Sequence, residues 1–184
     1  MKNFKYLIAV LVLFFVLLGV FAVKMNTVSN GREVILKIAP VDPRDPLRGD
    51  YVTFTYDISR LEVVDSVERL DKIYEGKTVY IPLYQYGSVG SAWKNQETVS
   101  LSEIESINKN NKDAVYLKGV ITSVNKSGNR ANIRITYGAE QYFIPEGAGR
   151  TFSFWNKEAL AKLSVGSDGQ GVLRQLYVDG KLWP

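Results

Sequence analysis

The residues best suited to chemistry lie close together in a proline-rich segment early in the chain. Asp42, Asp45 and Asp50 supply carboxylate oxygens, which are the ligands that a hard cation such as Ca²⁺ prefers. Arg44 and Arg48 alternate with these acids and can neutralise them without any metal. The pattern favours internal ion pairs and turn caps, with cation binding and recognition of a partner as the alternatives. Our prediction contains no metal site.

Composition limits the other catalytic schemes. The chain has no His and no Cys, which excludes imidazole bases, thiolate nucleophiles and the usual zinc, haem and iron–sulfur sites. A Ser–Lys hydrolase would need a nucleophile near Gly49, yet there is no Ser between Gly31 and Ser59. The 19 acidic residues offer no pair that the sequence singles out for glycoside hydrolysis. We therefore predict no catalytic activity and no cofactor.

The elements that position this segment are predicted to be strands. In residues 33–38 and 51–58, alternate side chains are apolar, as in a strand with one buried face. Further strands are predicted at residues 78–85, 115–124, 131–137, 161–165 and 172–178. Pro82 indicates an edge or a bulge, and residues 125–129 a hairpin loop. The sequence thus predicts an all-β fold, mainly an antiparallel sandwich or a partly open barrel.

Little helix is predicted within this β-rich region. Residues 59–70 have room for one short helix, and Asn156 can cap a single turn. Residues 87–111 are largely polar and contain two glycines early on, so they are predicted to form a long, mobile excursion from the sheets.

The N-terminus predicts a transmembrane helix. Leu7–Val23 is an uninterrupted run of 17 apolar residues, 14 of which are Leu, Ile, Val or Phe. As a helix this run is about 26 Å long, close to the hydrocarbon thickness of a bilayer. We predict an anchor at residues 1–24 and one extracytoplasmic domain at residues 25–184, because Lys2 and Lys5 favour a cytoplasmic N-terminus. A signal peptide cleaved near Ala22 is the alternative.

The net charge of +4 comes mostly from this N-terminal region. Lys2, Lys5 and Lys24 are three of the 23 basic residues, which leaves 20 basic against 19 acidic residues in the rest of the chain. A nearly neutral domain lacks the extended positive surface that binds phosphate backbones. We therefore predict no nucleic-acid partner.

Several segments together resemble one protein family. Gly49–Tyr56, with the sequence GDYVTFTY, resembles the motif that names the GDYXXLXY family, with Phe54 in the place of its Leu. Three other segments are similar to further blocks of that family, in the same order: 42–48 (DPRDPLR), 137–147 (YGAEQYFIPEG) and 176–180 (LYVDG). The resemblance extends from about residue 32 to the end of the chain.

The resemblance implies a bacterial membrane-anchored protein without an established biochemical activity. Members are similar to extracytoplasmic domains found beside, or joined to, a multi-spanning membrane domain. The implied localisation is the bacterial cytoplasmic membrane, crossed once, with the domain on the periplasmic or cell-surface side. The implied partners are a multi-spanning membrane protein and the lipid bilayer. No catalytic residue is implied.

We therefore predict an accessory or interaction domain of a membrane complex. The candidate interface combines the loop at 42–51 with the turn at 142–150, because Arg and Tyr suit interface anchors. Its residues are Asp42, Arg44, Asp45, Arg48, Gly49, Asp50, Tyr51, Tyr56, Tyr142, Glu146 and Arg150. The alternative function is binding of an envelope glycan or a small ligand by Tyr84, Tyr86 and Trp93, whose other interpretation is strand and core packing.

Overall fold

The computed structural model describes residues 2–41, 51–85, 92–96, 98–108, 110–144 and 157–183. A long N-terminal helix, α1, spans Lys2–Asn30. The strands in the described residues are β1 Arg32–Val41, β2 Tyr51–Tyr56, β3 Arg60–Val64, β4 Thr78–Gln85, β5 Trp93–Lys94, β6 Thr98–Val99, β7 Val115–Ser127, β8 Arg130–Thr136, β9 Gln141–Phe143, β10 Ala159–Val165, β11 Gly171–Val178 and β12 Lys181–Trp183. The short helical elements are a 3-10 turn at Asp57–Ser59, α2 Val67–Leu70 and α3 Leu101–Ile104.

The strands form two six-stranded sheets around one core. The first sheet has the order β12-β11-β10-β1-β2-β9, and the second has the order β5-β4-β7-β8-β3-β6. Among the described strands every pairing is antiparallel except that of β3 with β6. One sheet is curled into a half-barrel. The predicted all-β class, with its choice of sandwich or partly open barrel, is therefore confirmed.

The core lies between the sheets and follows the predicted alternation. In β1 the side chains of Val34, Leu36 and Ile38 are buried, and in β2 those of Val52 and Phe54 are buried. Apolar side chains from both sheets join in a single cluster. Burial of this continuous apolar surface is the main stabilising contribution to a domain of this size.

The hairpin of β7 and β8 is tighter than the sequence predicted. Pairing continues to Ser127 opposite Arg130, so the loop contains only Gly128 and Asn129. Gly128 has φ of 59°, which a two-residue hairpin loop requires and which glycine adopts without strain. The predicted loop at 125–129 was too long because polar residues occupy exposed strand positions there.

The short helix predicted within residues 59–70 is confirmed at Val67–Leu70, but the strand that precedes it was not predicted. Residues 60–64 form β3, in which Leu61 and Val63 are buried in alternation, and only Val67–Leu70 is helical. The predicted helical turn after Asn156 is wrong at its end, because β10 begins at Ala159. In both places pairing with a distant strand overrides a weak local preference.

The predicted excursion at residues 87–111 is ordered in its described part. It contributes β5, β6 and α3, and it buries Trp93, Val99, Leu101 and Ile104. Pro82 lies in β4, which pairs with β7 on one side and, among the described residues, with β5 only at Tyr84 and Gln85. The prediction of an edge or a bulge is therefore met only locally: β4 is not an edge strand, but among the described residues Pro82 has a strand partner on the β7 side alone.

The helix α1 enters the domain through a single residue, Gly31. The Thr27 carbonyl oxygen accepts hydrogen bonds from the Gly31 amide at 2.9 Å and from the Ser164 hydroxyl in β10 at 2.7 Å. Ser164 is 0% exposed. The last turn of the helix is therefore part of the folded domain.

Arg32, the first residue of β1, connects the junction between α1 and β1 to the second sheet. Its guanidinium donates to the carbonyl oxygens of Lys112 at 3.1 Å and Ala114 at 3.2 Å. It also lies 5.8 Å from the ring centroid of Trp93, a cation–π contact. The helix, β1 and both sheets thus meet in one joint, which we call the anchor joint: Thr27, Gly31, Arg32, Trp93 and Ser164.

Candidate interaction site

The two segments of the predicted interface start from neighbouring strands. β2 begins at Tyr51 and β9 ends at Phe143, and these residues are direct antiparallel partners, as are Val52 and Tyr142. The chain therefore enters β2 beside the point where it leaves β9. Eight of the predicted residues lie outside the described residues: Asp42, Arg44, Asp45, Arg48, Gly49, Asp50, Glu146 and Arg150.

An exposed aromatic pair marks this end of the first sheet. The rings of Tyr51 and Phe143 are 6.3 Å apart, and Phe143 is 72% exposed. Because Val52 points into the core, its neighbour Tyr51 points outward, on the same face as Phe143. We call this pair the aromatic edge. Aromatic side chains of this kind supply large contact area at protein interfaces.

Tyr142 faces inward, unlike its neighbour Phe143. It is half-buried and packs against the core cluster, on the inward face of β9. Ile144, two residues on, is also buried on that face. Tyr142 therefore fixes β9 on the domain, which leaves Phe143 to face outward.

Tyr56 lies in the core and supports the aromatic edge from within. It is 2% exposed, and its hydroxyl donates a short hydrogen bond to the Ala139 carbonyl oxygen. Its ring makes an edge contact with Tyr137 at 5.7 Å, and the Tyr137 hydroxyl donates to the Ile58 carbonyl oxygen at 2.7 Å. With so little exposed surface, Tyr56 positions the chain before β9 and offers no contact area to a partner.

Glu140 also stabilises the chain that leads into β9. Its carboxylate accepts a hydrogen bond from the Tyr137 amide, and its carbonyl oxygen accepts one from the Phe54 amide at 3.1 Å. Burial raises the pKa of Tyr56 and Tyr137 well above the ordinary value, and the Glu140 carboxylate raises both further. Both phenols are therefore neutral at pH 7 and act as hydrogen-bond donors.

Two observations on the described residues concern metal binding and titratable groups. No group of three or more acidic residues there is arranged to hold a metal ion. Burial raises the pKa of Asp57 above its usual value, against opposing contributions from neighbouring amides, Lys94 and Lys37. Asp57 begins a 3-10 turn that ends at Ser59, whose buried hydroxyl has no hydrogen-bond partner among the described residues.

Phe143 is not among the residues predicted from the sequence, although the sequence contains a signal for it. The run Gln141–Ile144 alternates, and a strand that buries Ile144 and Tyr142 must turn Phe143 outward. The family resemblance identified the segment as a whole and did not distinguish the inward face of the strand from its outward face.

A second feature, the polar cleft, bears on the ligand-binding alternative. It has a volume of about 670 Å³ and is lined by Tyr84, Tyr116, Asn111, Glu103 and neighbouring polar residues of α3 and the chain that follows. The Asn111 side-chain amide donates to the Tyr84 hydroxyl at 3.2 Å. Burial raises the pKa of Tyr116, with the nearby Tyr84 hydroxyl adding to the effect.

Of the other two aromatic residues of that alternative, Trp93 is not among the residues that line the cleft. Trp93 is 6% exposed and packs against Arg32 in the anchor joint, so its other interpretation, core packing, describes it. Tyr86 lies outside the described residues.

The apolar helix and the β domain together define a class of protein. Ile8–Asn30 is a helix long and apolar enough to cross a membrane, with mean hydropathy 2.8, and none of its most apolar stretch is buried against the domain. A single such helix, joined to a two-sheet β domain, indicates a single-pass membrane anchor with a folded domain.

Comparison with known proteins gives the family. A family model described as GDYXXLXY protein matches residues 13–176, and the chain belongs to that family. The match begins inside α1 and ends in β11, so it includes both the apolar helix and the β domain. No curated protein and no solved structure matches the chain.

Proposed function

We propose that this protein crosses the bacterial cytoplasmic membrane once and that its β domain is a non-catalytic accessory or interaction domain of a membrane complex. The domain lies on the extracytoplasmic side, and its partner is a multi-spanning membrane protein. The observation that carries this proposal is the anchor joint, which connects the apolar helix to both sheets without a linker.

A domain held in this way has a fixed position relative to its helix. A flexible linker would let a tethered domain search a volume that grows with linker length. Here Gly31 alone separates α1 from β1, and Thr27 is bonded to Ser164 in β10. The fixed arrangement presents one surface at one height above the bilayer, which suits contact with a partner embedded in the same membrane. Less orientational freedom is then lost on association.

The orientation follows from charge at the N-terminus. Lys2 and Lys5 precede the apolar run and favour the cytoplasmic side, whereas Lys24 follows it as a single counterweight. The β domain after Lys24 is therefore placed outside the cytoplasm, on the periplasmic or cell-surface side.

The aromatic edge is the contact surface that we assign to the partner. A 72% exposed Phe143 beside Tyr51 is an apolar site at the end of a sheet, next to the segments that carry the predicted Arg and Asp residues. A protein interface typically has apolar anchor residues at its centre and charged residues at its rim.

The test is capture of partners from membranes. The tagged full-length chain is purified in mild detergent, and the mature chain and bound proteins are identified by mass spectrometry. We expect an intact N-terminus and a stoichiometric multi-spanning protein, whose capture falls several-fold when Tyr51 and Phe143 are both replaced by Ala.

Tyr74→Ala is the matched control, because Tyr74 is an exposed aromatic residue that precedes β4 of the second sheet, whereas the aromatic edge lies in the first sheet. Thermal unfolding of each variant shows whether the domain is still folded. A chain cleaved near Ala22 with no membrane partner would contradict the proposal. Equal capture by the double variant would contradict the assigned surface alone.

The polar cleft favours a second candidate function, binding of an envelope glycan or another small polar ligand. It combines the aromatic Tyr84 and Tyr116 with hydrogen-bonding side chains such as Asn111, and such a combination suits a polyhydroxylated ligand. Titration of the protein's fluorescence with envelope polysaccharides is the measurement. Saturable quenching that Tyr84→Ala abolishes and Tyr74→Ala preserves would favour this function, and a flat response across the panel would reject it.

A further inference from the structure

A second cavity lies between α1 and the β domain, on the membrane side of the anchor joint. Its volume is about 450 Å³. Its lining includes Lys24 of α1 and residues from four parts of the domain: Thr78 in β4, Lys118–Val120 in β7, Thr136–Gly138 and Gln170–Gly171. We call it the lysine cavity.

The sequence of α1 fixes the level of this cavity relative to a bilayer. Lys24 is the first charged residue after the apolar run that ends at Val23. In a spanning helix such a residue lies where hydrocarbon gives way to lipid headgroups. Lys24 precedes Asn30, the end of α1, by six residues, or about 9 Å of helix. The domain therefore reaches back along the helix as far as the headgroup layer.

The chemistry of the lining suits an anion. Lys24 and Lys118 both line the cavity, and no acidic residue is among its lining residues. Within the described residues, neither lysine has a carboxylate at ion-pair distance. Thr78, Thr136 and Gln170 add hydroxyl and amide donors around the same space. Several donors and two positive charges match the oxygens of a phosphate group.

The lining of the cavity also includes a partly exposed apolar residue. Val120 is 39% exposed although it lies in β7 among buried neighbours. An apolar group beside two lysines suits the boundary between acyl chains and headgroups, where both kinds of surface are satisfied.

We propose that the lysine cavity binds the phosphate of an anionic phospholipid headgroup in the membrane that α1 crosses. This inference rests on the membrane anchoring in the proposed function, but it does not depend on the protein partner. A lipid held between helix and domain would brace the domain against the bilayer at a second point, next to the anchor joint.

The experiment counts lipids that stay bound to the full-length protein. The chain is released from nanodiscs of phosphatidylglycerol and phosphatidylcholine into the gas phase, and retained lipid is measured by native mass spectrometry. We expect preferential retention of phosphatidylglycerol. Lys118→Gln should weaken it by about fivefold, the effect expected for one lysine at an anionic surface, and Lys24→Gln by a similar factor.

Lys181→Gln is the matched control. Lys181 is exposed, and it follows β11 at the end opposite to Gly171, which puts it roughly 20 Å from the cavity. Its replacement should leave retention unchanged. Equal retention of the two lipids, or phosphatidylglycerol retention that both cavity variants leave intact, would overturn the proposal. Displacement of the lipid by millimolar inorganic phosphate would also overturn it, because the ligand would then be a free anion.

Failure of the anchoring itself is detected separately. Membranes washed at alkaline pH retain integral proteins, so each variant is tested for sedimentation with the membrane. A wild-type chain that is released by the wash would overturn the anchoring and this inference together. A chain that stays in the membrane without lipid preference would overturn this inference alone.

Discussion

At the scale of single residues, the candidate site depends on two buried hydroxyl groups. Tyr56 bonds to the Ala139 carbonyl oxygen, and Tyr137 bonds to the Ile58 carbonyl oxygen at 2.7 Å. These bonds hold the chain that leads into β9. The aromatic edge is therefore supported by residues that a partner does not touch, and their loss affects folding before it affects recognition.

Replacement of Tyr137 by Phe is expected to reduce the free energy of unfolding by about 1–3 kcal/mol, because the buried Ile58 carbonyl oxygen loses its donor. Chemical denaturation of the full-length protein in detergent measures the change. Tyr74→Phe, at a 61% exposed position, should change the free energy by less than about 0.5 kcal/mol. Equal effects of the two substitutions would show that the hydrogen bond from Tyr137 to Ile58 contributes nothing to the free energy of unfolding.

The same tyrosines predict loss of stability in alkali. Both have a pKa raised above 10.0 in the folded protein, so their contribution is fully present below pH about 10 and is lost as the pH rises through the folded-state pKa. The phenolate absorbance of Tyr56 and Tyr137 should therefore rise only when the domain unfolds. The alkaline decline in stability should be shallower in Tyr137→Phe, and an unchanged slope would contradict the assignment.

At the scale of elements, the anchor joint decides how α1 and the sheets are arranged. A side chain at Gly31 would place its Cβ closer than 3.0 Å to the Thr27 carbonyl oxygen, the Ser164 hydroxyl and the Val165 carbonyl oxygen. Two of those three contacts are backbone atoms, which cannot rotate away. The joint therefore requires glycine, although the residue has no unusual φ.

Gly31→Ala is expected to lower the free energy of unfolding by about 1–3 kcal/mol or more and to expose the joint to protease. Gly19→Ala is the control, because a Cβ at Gly19 meets nothing within 4 Å. Thermal unfolding and limited proteolysis near residues 27–32 measure the two effects. A Gly31→Ala protein with native stability and no new cleavage would mean that helix and domain are only loosely joined.

At the scale of the whole molecule, the helix and the domain form one unit, and the GDYXXLXY family model matches both. We expect the full-length protein to sediment with membranes after washes in high salt and alkali. External protease should digest the β domain in spheroplasts while the first residues of α1 stay protected. Protection of the domain, or release of the chain by the wash, would contradict the predicted orientation or the anchoring, respectively.

The sequence by itself determined the all-β class, the buried faces of β1 and β2 and the apolar helix. Each of these depends on a local pattern, either alternation along a strand or an unbroken apolar run. The structure alone decided which distant residues meet: Ser164 reaches Thr27 across 137 positions, and Tyr56 reaches Ala139 across 83. It also showed that residues 60–64 form β3 and that Lys118 and Lys24 line the same cavity. Such contacts depend on strand order, and strand order is set by burial of the shared core rather than by any local pattern.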